Sequence, residues 1–232
     1  MTDHPTGATE PADDAGSVLA DRTVLIAGAT SASGRVLARA LVDAGATVIA
    51  VGSDQGRIDA LVAEIPGVVG ERADLTDGDD VLELAMRVHA GVGDVDGVIH
   101  LVGGWRGGGG IPGQTEEDYR VLERSFTALR YVSRVFWDDL LASPAGRIAI
   151  VSSTTVERPT AGGANYTAVK AAAESWMRSL TQGFAKAESP AAAVTFRVQA
   201  LAGLEARLAA SVVDLWRADA AELNGRVETL SA

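Results

Sequence analysis

The sequence predicts a single α/β domain, built on a doubly wound, mostly parallel β-sheet with helices on both faces. Short apolar runs rich in β-branched residues alternate along the chain with amphipathic segments of helical length. A chain of 232 residues with 47% hydrophobic content can bury one such core. No internal repeat of roughly 20 to 50 residues is present, which excludes solenoid architectures.

The predicted elements follow one another with short connections. Strands are predicted at 22–27, 47–51, 68–72, 97–102, 147–151, 193–201 and 225–230. Helices are predicted at 35–44, 57–64, 80–90, 115–141, 166–186 and 205–218. Residues 1–20 are rich in Pro, Gly, Ala, Thr and Asp and predict a disordered tail, so the folded domain is expected over 21–232.

Composition excludes several classes of function. A formal charge of −11 and a pI near 4.7 disfavour nucleic-acid and anionic membrane surfaces as partners. With no cysteine and no zinc-type spacing among the three histidines, no metal site is predicted, and redox chemistry would need an organic cofactor. No apolar run is long enough to span a membrane and no signal peptide is recognisable, so a cytoplasmic protein is expected.

A glycine turn follows the first predicted strand and precedes a predicted helix. It contains Gly28, Thr30, Ser31, Ala32 and Gly34. Small residues let the backbone approach a pyrophosphate, and the helix N-terminus supplies N–H groups and the positive end of a dipole. The turn therefore predicts a dinucleotide-binding loop.

Three reactive side chains lie where the strand at 147–151 gives way to a helix. Tyr166 and Lys170 are four residues apart and would share one helix face, while Ser153 comes just after the strand. A nearby cation would lower the pKa of the phenol, and the serine could hydrogen-bond the same substrate oxygen. The alternative is an exposed Tyr–Lys pair without function.

This constellation resembles the Ser…Tyr-x-x-x-Lys signature of the short-chain dehydrogenase/reductase family. The glycine turn is similar to that family's Thr-Gly-x-x-x-Gly-x-Gly pattern, although Ala27 and Ala32 replace its threonine and middle glycine. The resemblance implies a Rossmann-type fold and an NAD(P)-dependent oxidoreductase that transfers hydride between nicotinamide and a carbonyl or alcohol carbon. It also implies that Tyr166 is the acid/base and that Lys170 holds the nicotinamide ribose.

Within the resemblance, the end of the second strand bears on the choice of cofactor. Gly52 stands where NAD-preferring relatives carry an acidic residue, and Ser53 with Arg57 could accept a 2′-phosphate. NADP is therefore slightly favoured over NAD, although Asp54 lies close enough to leave the choice open.

The third and fourth strands add further candidates. By resemblance, Asp74 and Leu75 would border the adenine, but Asp74 could equally start a turn or cap a helix. Gly103 would allow close approach to the cofactor. The family's Asn-Asn-Ala-Gly is replaced by a segment beginning with His100, which is interpreted as a hydrogen-bonded core residue rather than a catalyst.

Two residues are predicted at the substrate. The Gly-Gly-Trp loop is similar to that of dihydropteridine reductases, a branch of the family, which implies that Trp105 stacks on a planar substrate; the alternative is that it packs the loop onto the domain. Ser125 falls where many family members place an asparagine that holds a water for proton relay.

The segment after Gly203 is shorter than the substrate-covering region of the family, which implies an open site and a bulky or carrier-borne substrate, or reduced activity. The two long helices predict a homodimer or homotetramer. The departures from family motifs leave an alternative function open: a catalytically weak or inactive cofactor-binding member that acts as a partner subunit.

Overall fold

A computed structural model describes residues 17–231 of the chain. Within that range, seven strands form one sheet in which all neighbouring strands are parallel. The strands are β1 (Thr23–Ala27), β2 (Thr47–Gly52), β3 (Val68–Arg72), β4 (Gly97–His100), β5 (Arg147–Ser153), β6 (Ala192–Val198) and β7 (Val227–Thr229).

The helices that connect the strands over the described range are α1 (Ala32–Asp43), α2 (Gln55–Glu64), α3 (Gly78–Gly91), α4 (Glu116–Val135), α5 (Trp137–Ala142), α6 (Ala164–Lys186), α7 (Glu205–Val213) and α8 (Ala220–Leu223). Asp54, Asp77 and Thr115 cap the N-termini of α2, α3 and α4 with side-chain hydrogen bonds to backbone N–H groups. None of the helices described is long and apolar enough to cross a membrane.

The strand order is β3-β2-β1-β4-β5-β6-β7. The chain leaves β1 in one direction to build β2 and β3, and it returns to the other side of β1 to build β4 onward. In such sheets ligands bind at the carboxyl ends of the strands, beside the point where the order reverses. The order therefore places a cleft between the loops that follow β1 and β4.

Each face of the sheet has its own hydrophobic core. On one face, Val24 and Ile26 of β1 pack with α1, α2 and α7; on the other, Leu25 and Ala27 pack with α3, α4, α5 and α6. This alternation is the period of two expected of a strand that is buried on both sides. The predicted doubly wound α/β fold is confirmed.

The predicted tail ends earlier than residue 20. Leu19 is completely buried in the core beneath α1, and its N–H bonds the carbonyl of Ala44 at 3.0 Å. The short apolar run Val18–Ala20 is too brief to give a periodic signal, but the burial of Leu19 joins residues 17–20 to the domain. Residues 1–16 lie outside the described part of the chain, so disorder there stays a prediction.

Two predicted helices were too long. The helix expected over 115–141 is divided at Phe136, which ends α4 and precedes α5. The helix expected over 205–218 ends at Val213 and continues as a short 3₁₀ turn, Asp214–Trp216. Apolar residues continue across both junctions, so the hydrophobic pattern alone did not show them.

Candidate active site

The cleft at the carboxyl ends of the strands consists of two adjoining cavities of about 400 and 580 Å³. The smaller extends from the glycine turn toward the ends of β2 and β3, and the larger toward the ends of β5 and β6. Ser31, Leu101, Val102 and Gly103 line both cavities. One elongated ligand could therefore occupy the two together.

The glycine turn after β1 is shaped by backbone contacts. Gly28 has a φ of +87°, and a Cβ added there would lie 3.0 Å from the backbone nitrogen of Val102. At Gly34 a Cβ would lie 2.3 Å from the carbonyl oxygen of Ala29. Only glycine fits either position, because one needs a left-handed conformation and the other a close contact between helix and turn.

Ser31 joins the two ends of this turn. Its hydroxyl donates to the carbonyl of Gly28 at 3.2 Å and accepts the N–H of Gly34 at 3.0 Å, which caps α1. Helix α1 begins at Ala32, whose side chain is exposed and does not line either cavity, whereas Ser31 lines both. The N-terminus of α1 thus faces the junction of the cavities.

The smaller cavity contains the residues predicted for the nucleotide. Its lining includes the predicted Gly28, Thr30, Ser31, Ser53, Asp74, Leu75 and Gly103, and also Arg57 and Arg124. Asp54 is not part of that lining, because its carboxylate accepts the N–H of Arg57 at 2.9 Å and caps α2. Sequence reasoning missed Arg124, because it lies on α4, 50 residues from Asp74 in the chain.

Asp74 both starts a turn and lines the nucleotide cavity. Its carboxylate accepts hydrogen bonds from the backbone N–H and the hydroxyl of Thr76, at 3.0 and 2.7 Å, and lies 3.3 Å from Arg124. The hydrogen bonds from Thr76, assisted by the charge of Arg124, hold the pKa of Asp74 below its usual range. Helix α3 is capped by Asp77 instead.

The larger cavity brings together Ser153, Tyr166 and Lys170. Ser153 is the last residue of β5 and is buried, while the other two lie one turn apart on α6. The Lys170 ammonium lies 5.8 Å from the centre of the Tyr166 ring and donates a 2.7 Å hydrogen bond to the carbonyl of Val151. The predicted triad therefore shares one wall of the cavity.

The expected effect of Lys170 on Tyr166 is not what the structure shows. Burial raises the pKa of the Tyr166 phenol, and a hydrogen bond with Ser153 partly offsets the rise. Burial also lowers the pKa of Lys170 to about 8, although the negative charge of Glu174 acts to raise it. The desolvated Lys170 ammonium thus loses its proton more readily than a solvated one. The Tyr166 phenol, with its raised pKa, stays protonated near neutral pH.

The family model described as "short chain dehydrogenase" matches residues 22–212, which include both cavities' strands and the triad. The chain belongs to the short-chain dehydrogenase family.

Individual relatives are distant. The chain is 29% identical over 171 residues to the uncharacterized oxidoreductase YvrD of Bacillus subtilis, covering 72% of this chain and 63% of that protein. It is 24% identical over 163 residues to the 3-oxoacyl-[acyl-carrier-protein] reductase FabG of Haemophilus influenzae, covering 69% and 67%. The matched region thus spans less than two thirds of the Bacillus relative.

Solved structures of short-chain dehydrogenases share the fold. A short-chain type dehydrogenase/reductase from Mycobacterium ulcerans superposes with a TM-score of 0.81 at 21% identity, over 91% of this chain and 89% of that one. A candidate short chain dehydrogenase from Shigella flexneri, solved with NADP, gives 0.82 at 20% identity, over 92% and 98%.

Sequence reasoning missed an ion pair near the triad, between the buried Glu174 and the partly buried Arg197. Glu174 is 3% exposed and accepts two hydrogen bonds from Arg197 of β6, at 2.9 and 2.7 Å, and one from Ser152 at 2.7 Å. These hydrogen bonds hold its pKa below the ordinary value despite burial. A signal was available, because Glu174 follows Lys170 by four residues on an otherwise apolar face of α6.

Trp105 lines the larger cavity and is 61% exposed, so it does not pack its loop onto the domain. The loop is held instead by Gln114, whose side-chain amide donates to the carbonyls of Gly108 and Gly162, both at 3.0 Å, and accepts the N–H of Asn165 at 3.0 Å. Gln114 therefore ties the Trp105 loop to the residue preceding Tyr166. No motif drew attention to this glutamine.

Ser125 does not line either cavity of the dehydrogenase cleft. Its hydroxyl donates to the carbonyl of Leu122 within α4 at 2.8 Å, and its own carbonyl oxygen lies 3.0 Å from Nε2 of His100. The structure thus gives Ser125 a backbone contact to His100 in place of the predicted side-chain contact with substrate.

Proposed function

We propose that this protein is an NAD(P)-dependent oxidoreductase that interconverts a carbonyl and an alcohol, with Tyr166 as the acid/base. The observation that carries the proposal is that the triad lines a cavity continuous with a glycine-turn cavity. Gly28, Thr30 and Ser31 line the smaller cavity beside the N-terminus of α1, where backbone N–H groups suit a pyrophosphate. The residues present therefore fit a dinucleotide.

The side chains divide the work of the reaction. When bound, the nicotinamide supplies or accepts the hydride at its C4 atom. In the direction of reduction, the Tyr166 hydroxyl donates its proton to the substrate oxygen, and the raised pKa of that phenol keeps the proton in place beforehand. Ser153 hydrogen-bonds the same oxygen and stabilises its developing negative charge. Lys170 would hold the nicotinamide ribose.

We further propose that NADP is preferred. Ser53, Arg57 and Arg124 line the nucleotide cavity, and two guanidinium groups suit a 2′-phosphate. Asp54, which would repel that phosphate, is turned away to cap α2. The bound NADP of the Shigella flexneri neighbour is consistent with this preference.

The substrate class that we propose is supported by the short segment beside the larger cavity. Residues 199–204 connect β6 directly to α7, and this short segment provides the lining from Gln199 to Ala202. A bulky or carrier-borne carbonyl compound is therefore proposed, with Trp105 as a surface on which a flat group could stack. The acyl-carrier reductase among the relatives supports a carrier-borne substrate.

Assembly into a homodimer or homotetramer remains a proposal. Helices α4 and α6 pack against each other, and Tyr119 and Val121 of α4 are partly exposed. A cytoplasmic location likewise stays a prediction from composition.

The test begins with fluorescence titrations of NADPH and NADH, followed by a screen of carbonyl substrates. Tyr166→Phe is expected to lower kcat by about 10²-fold or more while leaving the dissociation constant of the nucleotide nearly unchanged. Tyr119→Phe, on the surface of α4, is the matched control and should retain full turnover. Saturable nucleotide binding without turnover of any substrate would favour the inactive partner-subunit alternative, and absence of binding would overturn the enzyme assignment.

A further inference from the structure

His100 lies at the end of β4, is 5% exposed, and has one unused polar atom. Its Nε2 lies 3.0 Å from the carbonyl oxygen of Ser125, which can only accept, so Nε2 carries the proton and donates. Its Nδ1 is therefore a lone-pair acceptor, and it has no hydrogen-bond partner among the described residues. A buried acceptor left unpaired is costly, so this atom requires a donor.

Lys170 has hydrogen-bond donors that are not used by the described residues. Its ammonium has three N–H donors, and its hydrogen bond within the described structure goes to the carbonyl of Val151 at 2.7 Å. Val151 follows Ile150, which is the register partner of His100 on the neighbouring strand β4. The ammonium is thus held on β5 at the residue next to the register partner of His100.

The charge state of His100 suits the acceptor role. Burial, reinforced by the positive charge of Lys170, lowers the pKa of His100 to about 3. The imidazole is consequently neutral throughout the range in which Lys170 titrates.

We propose that His100 is a positioning residue for Lys170: its Nδ1 accepts a hydrogen bond from a water that in turn accepts one from the ammonium, while its Nε2–H is anchored on the Ser125 carbonyl. The contact fixes the direction of the ammonium and stabilises its charged form. The use of this contact in catalysis rests on the proposed function, but the contact itself does not.

Other titratable groups near Lys170 leave room for this role. Glu174 lies one turn away on α6 and raises the pKa of Lys170, but its carboxylate oxygens are bonded to Arg197 of β6 and to Ser152. Tyr166 is protonated near neutral pH. His100 thus supplies an acceptor near the ammonium without adding a charge.

Two substitutions of His100 distinguish the roles of its two ring nitrogens. The side-chain amide of asparagine ends close to the position of Nδ1, whereas that of glutamine extends to the position of Nε2. His100→Asn therefore keeps an acceptor for Lys170 and loses the anchor on Ser125. His100→Gln keeps a donor to the Ser125 carbonyl and loses the acceptor at the Nδ1 position.

The pKa of Lys170 can be measured directly, because Lys170 and Lys186 are the only lysines in the sequence. In protein labelled with ¹³C at lysine Cε, a pH titration by NMR gives two curves, and Lys186→Arg assigns them. His100→Gln is expected to lower the Lys170 pKa by about 0.5 to 1 unit, the size of one hydrogen bond to the charged form. His100→Asn should leave that pKa nearly unchanged while lowering the free energy of unfolding.

A purely structural His100 predicts a different result for one variant: His100→Gln would leave the Lys170 pKa unchanged, and the lower free energy of unfolding of His100→Asn would be the only effect. Equal Lys170 pKa values in the wild type and His100→Gln would overturn the proposal. Should either variant fail to fold, the wild type decides the matter, since the ¹⁵Nδ1 shift of His100 must change at the pH where Lys170 titrates. A flat Nδ1 shift, or a proton on Nδ1, would overturn the proposal.

These measurements need neither cofactor nor turnover, so their failure is distinguishable from failure of the proposed function. Once a substrate is known, the alkaline limb of the kcat/KM profile should move to lower pH in His100→Gln and stay in place in His100→Asn.

Discussion

The two halves of the cleft are built in different ways. The half proposed to bind the nucleotide is made largely of backbone: Gly28 and Gly34 permit close contacts that a Cβ would prevent, and Ser31 caps the helix that faces the cleft. The catalytic half is made of side chains, with Tyr166 and Lys170 on α6 near the Glu174–Arg197 ion pair.

This difference explains which departures from the family pattern leave the site intact. A backbone site depends on the path of the chain, so an exposed side chain such as Ala32 can change while that path is preserved. A side-chain site depends on particular atoms and on what supports them. The comparison predicts that substitutions in the buried catalytic support have the largest effects, and exposed ones in the nucleotide half the smallest.

The largest effect is expected from Glu174→Gln, near the triad. It removes the charge of the buried carboxylate that accepts two hydrogen bonds from Arg197, and it leaves that partly buried guanidinium with Glu157 as its remaining charged partner. The free energy of unfolding should fall by about 2 to 4 kcal/mol in urea denaturation. Glu64→Gln, which breaks a partly exposed pair with Arg35, is the control and should cost less than about 1 kcal/mol. Equal losses of unfolding free energy in the two variants would show that the Glu174–Arg197 pair stabilises the fold no more than an exposed pair does.

Next in size is Gly34→Ala in the nucleotide half. The added Cβ would meet the Ala29 carbonyl at 2.3 Å, so α1 must move, at about 1 to 3 kcal/mol in unfolding free energy. Moving the helix N-terminus should also weaken NADPH binding by about tenfold, measured by fluorescence titration. Gly91→Ala, where a Cβ meets nothing within 4 Å, should change neither quantity appreciably. Normal nucleotide affinity in Gly34→Ala would show that the turn does not depend on this contact.

A smaller and more selective effect is expected from Arg57→Ala. Loss of a charged hydrogen-bond donor should weaken NADPH binding by about tenfold and NADH binding by less than about threefold. Arg39→Ala, an exposed arginine of α1 outside the cavity lining, is the control. Equal weakening of both nucleotides would instead assign the effect to the hydrogen bond between Arg57 and the Thr30 carbonyl, which supports the turn itself.

The smallest effect is expected from Ala32→Gly, which restores the family's glycine. Because the Ala32 methyl is exposed and lines neither cavity, NADPH affinity should change by less than about threefold in the same titration. A tenfold gain would contradict this expectation and show that the methyl narrows the pyrophosphate site.

The sequence by itself determined the order of strands and helices, the glycine turn and the triad, because each depends on local spacing. Apolar periodicity decides which segments become strands and helices, and a four-residue interval decides that Tyr166 and Lys170 share a face. It did not determine where Leu19 joins the core or where α4 gives way to α5, since tertiary packing decides such boundaries.

Tertiary structure alone decided which distant groups meet. Arg197 reaches Glu174 from another strand, Gln114 reaches Asn165 across about fifty residues, and Nε2 of His100 reaches the Ser125 carbonyl. It also reversed the expected shift in the pKa of Tyr166, because burial of the phenol and of Lys170 depends on the whole fold. Local spacing specifies which groups share a face, but the solvation and hydrogen-bond partners that set their chemistry come from residues remote in the chain.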